Sequence, residues 1–133
     1  IHNDYRAQNV LFEGQNVAAI LDFDWSCYGP AIKDLAHSCM EWSFPDGARE
    51  PWQDVFKTFM ESYLTENPID VRDLLRWCEF SALSDTATYL IDRLKGEPSS
   101  EEERIRSWMY GKYKLFAKYE TLSEFLEKTA IVN

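Results

Sequence analysis

The sequence contains no apolar run of 18 residues and no charged leader before an apolar stretch, so it predicts neither a transmembrane helix nor a signal peptide. Basic residues are scarce: 14 Lys+Arg stand against 23 Asp+Glu, for a formal net charge of −9. Nucleic acid and anionic membrane surfaces are therefore not expected as main partners, because both are bound through basic patches. Cationic small molecules, Mg²⁺ and neutral substrates remain open.

Cysteines are also few and odd in number, and their spacing fits neither CxxC nor Cys/His metal sites. Cys27, Cys39 and Cys78 each stand among apolar neighbours, which predicts buried, reduced thiols. We therefore expect a cytoplasmic protein without a disulfide framework.

A globular core is expected despite the charge, because 45% of the 133 residues are hydrophobic and 15% are aromatic. We expect a single domain over residues 1–133. The chain begins at Ile1 without a Met, which leads us to expect a longer protein.

Local patterns predict a hairpin followed by helices. Two apolar runs, residues 9–12 and 17–23, are joined by a Gly-bearing link over 13–16, which predicts a β-hairpin. After Pro30 the apolar residues recur with a helical period. Helices are predicted over residues 31–42, 51–64, 69–94 and 108–128. The fold class is therefore α+β and mostly α-helical, with a hairpin that must pack on the helices to be stable.

The residues that carry chemistry stand on either side of the hairpin. Residues 2–9 read H-x-D-x-x-x-x-N, and the triplet D-F-D at 22–24 begins thirteen residues after Asn9. Phosphoryl transfer needs oxygen ligands for Mg²⁺ and a carboxylate that accepts the proton of the attacking hydroxyl. Antiparallel pairing brings Asn9 and Asp22 together, with Asp4 within reach in the preceding loop. The pattern predicts one phosphoryl-transfer site.

These motifs resemble those of the aminoglycoside phosphotransferase/choline kinase-like superfamily. Residues 2–4 resemble the HGD or HND of its catalytic loop, residues 22–24 its metal-binding triplet, and residues 29–36 its GP-x-x-x-DLA signature. The resemblance implies a protein-kinase-like C-terminal lobe, with the catalytic loop and hairpin over 1–30 and a helical subdomain over 31–133. It also implies a kinase that moves the γ-phosphate of ATP, or of GTP, to a hydroxyl of a small molecule such as an aminoglycoside, an amino alcohol or a homoserine-like substrate.

The resemblance implies roles for five residues. Asp4 would be the catalytic base, and Arg6 would lie near the γ-phosphate. Asn9 and Asp22 would bind the nucleotide through Mg²⁺, and Asp24 would be a further metal ligand. The negative charge of the chain favours an amine-bearing acceptor.

The resemblance also predicts residues that support the site, and it indicates a part of the family's fold that these residues do not supply. Asp34 would accept backbone N–H bonds from the catalytic loop, His2 would pack and hydrogen-bond rather than act as a base, and Asn3 stands where Gly is commoner. The family's N-terminal nucleotide-binding lobe, with its Gly-rich loop and Lys, has no counterpart in these 133 residues. We therefore expect the 133-residue chain alone to be inactive as a kinase.

Two other functions use the same residues. A strand ending in D-x-D at Asp22 and Asp24 is typical of haloacid-dehalogenase-like phosphatases, in which the first Asp is the nucleophile. Those proteins alternate strands and helices downstream, whereas this sequence is helical there. The other alternative is a non-catalytic kinase-like binding module, and the intact Asp4, Asn9 and Asp22 argue against it.

Two further predictions bear on the substrate. Four aromatic residues form either a wall for a cation or part of the core, and the core is favoured: Trp25, Tyr28, Trp42 and Trp52. His37 lies within the first predicted helix and is expected to be a partly buried, hydrogen-bonded residue rather than a ligand.

Overall fold

The computed structural model of the protein describes residues 1–44, 51–96 and 109–128. Within these ranges it contains one two-stranded antiparallel sheet, five α-helices and one short 3₁₀ helix, Ala7–Asn9. The elements are β1 (Val10–Glu13), β2 (Asn16–Ile20), α1 (Ala31–Ser43), α2 (Gln53–Glu66), α3 (Leu74–Lys95), α4 (residues 109–116 of the described part) and α5 (Leu122–Lys128). The predicted α+β, mostly helical class is confirmed. Among the described helices, none combines the length and the apolar character needed to cross a membrane.

The hairpin forms where it was predicted, but its turn is shorter than predicted and fewer of its residues are buried against the helices. A two-residue turn links the strands, and its first residue, Gly14, has φ +60°, which suits a residue without a side chain. The strands pair Val10 with Ile20 at the base of the hairpin. The predicted packing on the helices is wrong for most of the hairpin, because Val10 is the only buried strand residue. The helices hold the base, which is the end that carries the motifs.

The helical part is organised around α1. Residues 35–40 are all buried, because α1 packs against both α2 and α3. The buried hydrophobic core draws on every described helix: Leu35, Ala36, Cys39, Met40, Phe44, Phe56, Met60, Leu74, Leu75, Cys78, Ala82, Phe116, Tyr119 and Phe125. Since α1 begins directly after the motifs, this core fixes the position of the segment that follows them.

The prediction of one long final helix is wrong, because the chain turns between two helices. The Tyr119 backbone N–H donates to the Phe116 carbonyl at 3.3 Å, a tight i→i−3 bond at the end of α4. The Thr121 hydroxyl oxygen then accepts a bond of 3.1 Å from the Glu124 backbone N–H and caps α5. The predicted helix start at Trp108 lies outside the described residues.

Two smaller predictions also need correction. Helix α3 begins at Leu74 rather than at residue 69, because a turn closed by the bond from the Leu74 N–H to the Val71 carbonyl precedes it. Cys39 and Cys78 are buried as predicted, but Cys27 is exposed, since the whole segment 21–30 is exposed.

Candidate active site

The catalytic-loop segment is bound to the start of α1 by one carboxylate. The backbone N–H groups of His2 and Asn3 donate to the two oxygens of Asp34 at 3.0 and 2.7 Å. Asp34 lies in the first turn of α1, where the helix dipole also favours a negative charge. The predicted structural role of Asp34 is confirmed: it fixes the segment that leads into Asp4.

Replacing Asp34 by Asn is expected to destabilise the protein, because the amide places an N–H donor where an oxygen now accepts a backbone bond. We expect the free energy of unfolding to fall by about 1.5–3 kcal/mol, the range for hydrogen bonds to charged groups. Denaturant unfolding measures this loss. Asp54→Asn is the matched control, because Asp54 lies in the first turn of α2 but is exposed. Equal losses in both variants would contradict the role of Asp34.

His2 joins the loop to the hairpin. The Asp4 backbone N–H donates to His2 Nδ1 at 3.3 Å, so Nε2 carries the ring proton and donates to the Leu21 carbonyl at 3.0 Å. The His2 ring also packs against Phe23, with 4.7 Å between the ring centroids. His2 therefore packs and hydrogen-bonds, as predicted, and both ring nitrogens are used in doing so.

Two polar residues of the motifs have a left-handed backbone. Asn3 has φ +66° and Asp22 has φ +60°. Asn and Asp tolerate this region better than other residues that carry a side chain. The backbone at Asn3 therefore suits either Gly or Asn. At Asp22 the left-handed backbone turns the chain away from β2, and Asp22 is one of the predicted metal ligands.

Two substitutions of Asn3 should separate backbone strain from side-chain contacts. Both Asn3→Ala and Asn3→Gly remove the polar side chain, but only Ala opposes the left-handed backbone. We expect Asn3→Ala to be less stable than Asn3→Gly by about 1–2 kcal/mol, the cost of the left-handed region for an ordinary residue. Denaturant unfolding of the pair measures the difference, and equal stabilities would refute this account.

Asn9 holds the carboxylate of Asp4. The Asn9 Nδ2 group donates to the Asp4 backbone carbonyl at 2.9 Å and to Asp4 Oδ2 at 2.7 Å. Both amide hydrogens of Asn9 are used in these bonds, so its Oδ1 is the atom that can bind a metal ion. On the other side, Arg6 Nε lies 3.3 Å from Asp4 Oδ1, and the Asp4 side chain is 14% exposed. The structure thus brings Asp4, Asn9 and Arg6 together and fixes the orientation of Asp4.

The hairpin brings the segment before Asp22 against Asn9. The Leu21 backbone N–H donates to the Asn9 carbonyl at 2.8 Å, directly beyond the last strand pair. Asp22 follows immediately and is exposed, as is most of β2. Asp24 is exposed in the next turn.

The oxygen groups near the base of the hairpin suit a hard divalent cation. The Asn9 amide presents its oxygen because Asp4 uses its nitrogen. Asp22 follows the end of β2, and Asp24 lies in the turn after it, so both add carboxylates near the base of the hairpin. Carboxylate and amide oxygens are the protein ligands that Mg²⁺ prefers. The donor atoms of these residues are therefore of the chemical types that suit the predicted Mg²⁺.

A cavity of about 350 Å³ opens beside Asp4. It is bounded by the catalytic loop, by Trp25, and by polar residues of α1 and α3. A larger cavity of about 890 Å³ lies between the catalytic loop and α2, but none of the residues predicted to be catalytic or metal-binding lines it. The smaller cavity, which we call the acceptor cavity, is at the lower end of the volumes of small-molecule sites.

A cluster of ionisable residues at the acceptor cavity was not found from the sequence. His37, Glu41 and Asp85 have side-chain polar atoms that all lie within 4.8 Å of one another. His37 is buried, and its Nδ1 has no hydrogen-bond partner among the described residues, so the prediction of a hydrogen-bonded histidine is wrong. The i, i+4 spacing of His37 and Glu41 places them on one face of α1. No local pattern connects them to Asp85, which lies on α3.

Burial raises the pKa of the Asp85 carboxyl above its ordinary value. His37 and Lys112 lower this pKa, because a nearby positive charge favours the carboxylate. Glu41 and Asp4 raise the pKa further by charge repulsion. Burial is the largest of these effects, so the net direction is a rise.

The aromatic residues are more exposed than predicted. Trp25, Tyr28 and Trp52 are exposed, so the expectation that most of the four lie in the core is wrong. Trp42 is partly buried and stacks on Phe59, with 6.1 Å between the ring centroids. Of the four, only Trp25 lines the acceptor cavity, and they do not form a common wall.

Comparison with known proteins confirms the resemblance inferred from the motifs. Residues 1–58 match the model of the phosphotransferase enzyme family. A homoserine kinase of Methylobacterium nodulans is 32% identical over 103 residues, which cover 75% of this chain and 32% of that protein. A homoserine kinase of Pseudomonas aeruginosa (strain LESB58) is 30% identical over 78 residues, which cover 58% of this chain and 24% of that protein.

The chain thus spans about a third or less of the length of these curated relatives. No solved structure matches it.

Proposed function

We propose that this chain carries the phosphoryl-transfer site of a Mg²⁺-dependent small-molecule kinase. The observation that carries the proposal is the pair of hydrogen bonds from Asn9 Nδ2 to Asp4, next to the strand end that presents Asp22. These bonds hold the Asp4 carboxylate, which lines a cavity, beside the amide group of Asn9. The match of residues 1–58 to the phosphotransferase enzyme family supports it.

Asp4 is the proposed catalytic base. Its carboxylate orients the acceptor hydroxyl and accepts the proton as the hydroxyl oxygen bonds to the γ-phosphorus of ATP or GTP. The bond between the γ-phosphorus and the bridging oxygen breaks, and the nucleoside diphosphate leaves. Arg6, beside Asp4, adds positive charge where the phosphoryl group accumulates negative charge.

Asn9 and Asp22 are the proposed ligands of the Mg²⁺–nucleotide, with Asp24 as a further metal ligand. When bound, Mg²⁺ neutralises phosphate charge. The contribution of the chain is to hold the amide oxygen of Asn9 in place through its bonds to Asp4. Asp22 is held at the same end of the hairpin by the bond from Leu21 to Asn9.

The proposed acceptor is a small alcohol. The acceptor cavity of about 350 Å³ and the homoserine kinases among the relatives favour homoserine or a similar amino alcohol over a multi-ring aminoglycoside. We propose a soluble cytoplasmic enzyme whose partners are this acceptor and the nucleotide.

The two alternative functions are less well supported. A haloacid-dehalogenase-like phosphatase needs a parallel sheet beside its D-x-D motif, whereas the hairpin is the only sheet in the described part of the chain. A non-catalytic binding module would not need the oriented carboxylate of Asp4, which Asn9 and Arg6 both contact.

The rate at which nucleoside diphosphate forms from ATP or GTP tests the proposal. The complete gene product is incubated with Mg²⁺, ATP or GTP, and separate pools of amino alcohols, sugars and aminoglycosides. We expect nucleoside diphosphate to form faster with one pool than with none, most strongly with homoserine or a related amino alcohol. Nucleotide binding without turnover in any pool would favour the non-catalytic module.

A further inference from the structure

Helix α3 is apolar on two sides. One side is buried where α3 packs against α1, and it carries Leu74, Leu75, Cys78 and Ala82. The other side carries four large apolar residues that are each 42–53% exposed: Phe80, Leu83, Leu90 and Ile91. The exposed Ala87 lies between them, and we call these five residues the α3 stripe. A helix that is apolar all round is normally covered on every side, so the α3 stripe is expected to have a partner.

Helix α2 has no such surface. Every exposed residue of α2 is polar or charged: Asp54, Lys57, Thr58, Glu61, Ser62, Thr65 and Glu66. Helix α3 thus places large apolar side chains at positions where α2 places groups that suit water. Contiguous exposed apolar surface of this kind marks interaction sites in soluble proteins.

The spacing of the α3 stripe is that of a seam between two helices. Phe80, Leu83, Ala87 and Leu90 follow one another at intervals of three, four and three residues, which is the a/d repeat of paired helices. At 1.5 Å per residue, residues 80–91 extend over about 17 Å of the helix. The partner that fits this seam is therefore another helix.

The α3 stripe is complementary to a second copy of itself in the antiparallel direction. Leu83 stands four residues before Ala87, and Ile91 stands four residues after it. A two-fold axis beside Ala87 therefore sets Leu83 of each copy against Ile91 of the other. It also sets the two Ala87 residues against each other, and small side chains at the crossing point let two helices approach closely.

The charges beside the α3 stripe favour the same direction. By helical spacing, Glu79 and Arg93 lie on the same flank of α3, eight residues before and six residues after Ala87. Antiparallel pairing aligns these opposite charges to within about 3 Å along the helix. Parallel pairing would instead set Glu79 against Glu79. Because Glu79 also pairs with Arg76 of its own helix, this contact contributes to the register more than to the affinity.

We infer that two copies of this protein pair antiparallel through the α3 stripe, with a two-fold axis beside Ala87. Such an interface uses the same surface on both copies and closes as a dimer. Stable interfaces bury about 800 Å² on each partner, of which a stripe of five residues supplies only a part. The dimer therefore forms in a concentration-dependent way. The inference goes beyond the proposed function, which does not require a second copy.

The mass of the complete gene product in solution tests the inference. Light scattering after size exclusion is measured over a range of concentrations for the parent and for Ala87→Glu. We expect a dimer for the parent, and a dissociation constant at least about 100-fold higher for Ala87→Glu, because two like charges meet at the axis. Thr58→Glu is the matched control, since it places the same side chain at an exposed position of α2 and should leave the dimer unchanged.

A cysteine at the axis gives a second readout that does not depend on the folding of a charged variant. Cys27 is exposed, so Ala87→Cys and its control Thr58→Cys are both made together with Cys27→Ser. At an antiparallel crossing, the two residues at position 87 lie within the Cα separation of about 4.4–6.8 Å that a disulfide spans. Mild oxidation should therefore link Ala87→Cys into a covalent dimer and leave Thr58→Cys unlinked.

The outcomes separate the possible partners of the α3 stripe. A monomeric parent at every concentration would overturn the inference in favour of another segment of the complete gene product as the partner. A dimer that Ala87→Glu leaves intact would overturn it in favour of a different interface. If Ala87→Glu does not fold, the cross-link decides: a disulfide specific to Ala87→Cys supports the inference, and equal linking of both cysteine variants overturns it.

Discussion

Replacing Asp4 by Asn is expected to lower kcat for phosphoryl transfer by about 10²- to 10⁴-fold, the usual contribution of a positioned general base. The substitution keeps the size of the side chain and removes its ability to accept the proton of the acceptor hydroxyl. It also replaces one of the two oxygens that now face Asn9 Nδ2 and Arg6 Nε. Steady-state turnover with the best acceptor measures the effect.

The affinity for the nucleotide distinguishes loss of the base from loss of the site. We expect Asp4→Asn to bind Mg²⁺–ATP within a few-fold of the parent, because the proposed nucleotide ligands are Asn9 and Asp22 and the bond from Asn9 to the backbone carbonyl of residue 4 is kept. Asp70→Asn, at an exposed aspartate in the segment between α2 and α3, is the control for a general loss of activity. Turnover by Asp4→Asn within a factor of ten of the parent would contradict the role of Asp4.

Replacing Asp22 by Asn is expected to weaken Mg²⁺ binding and to leave the stability of the fold nearly unchanged. Asn tolerates the left-handed backbone at φ +60° as well as Asp does, so the hairpin end should keep its shape. Losing a carboxylate ligand should raise the Mg²⁺ concentration for half-maximal turnover by about 10–100-fold, since even residues that only support a ligand have effects of this size. A Mg²⁺ titration at saturating nucleotide measures the shift.

Asp24→Asn tests which of the two carboxylates, Asp22 or Asp24, contributes more to Mg²⁺ binding. Asp24 lies two residues further than Asp22 from the bond that ties Leu21 to Asn9, so we expect a smaller shift in the Mg²⁺ requirement than for Asp22→Asn. The same Mg²⁺ requirement in Asp22→Asn as in the parent would rule Asp22 out as a ligand.

The sequence predicted the parts of the molecule that local patterns determine. The hairpin follows from two apolar runs around a Gly-bearing turn, and the pairing of its strands brings Asn9 next to the segment before Asp22. The role of Asp34 was implied by the resemblance of residues 29–36 to the GP-x-x-x-DLA signature. The break between α4 and α5 was missed, although the T-x-x-E spacing of Thr121 and Glu124 indicates a helix start.

Other features depend on contacts between distant segments, which no local pattern records. Asp85 meets His37 only because α3 packs against α1, and Lys112 reaches Glu41 from α4. Exposure is likewise a tertiary property. Cys27 and Trp25 look like core residues in the sequence but lie in the exposed segment between the hairpin and α1. The cluster at the cavity therefore could not be found from the sequence, whereas the residues proposed for phosphoryl transfer could.

The destination of the γ-phosphate tests the central claim most directly. The complete gene product is incubated with [γ-³²P]ATP, Mg²⁺ and the best acceptor, and the small molecules are separated from the protein. If Asp4 promotes direct attack by the acceptor hydroxyl, the label appears on the acceptor as a phosphomonoester in a 1:1 ratio with ADP. Label retained on the protein as an acyl phosphate that disappears in Asp22→Asn would contradict the account, because Asp22 would then be a nucleophile rather than a metal ligand.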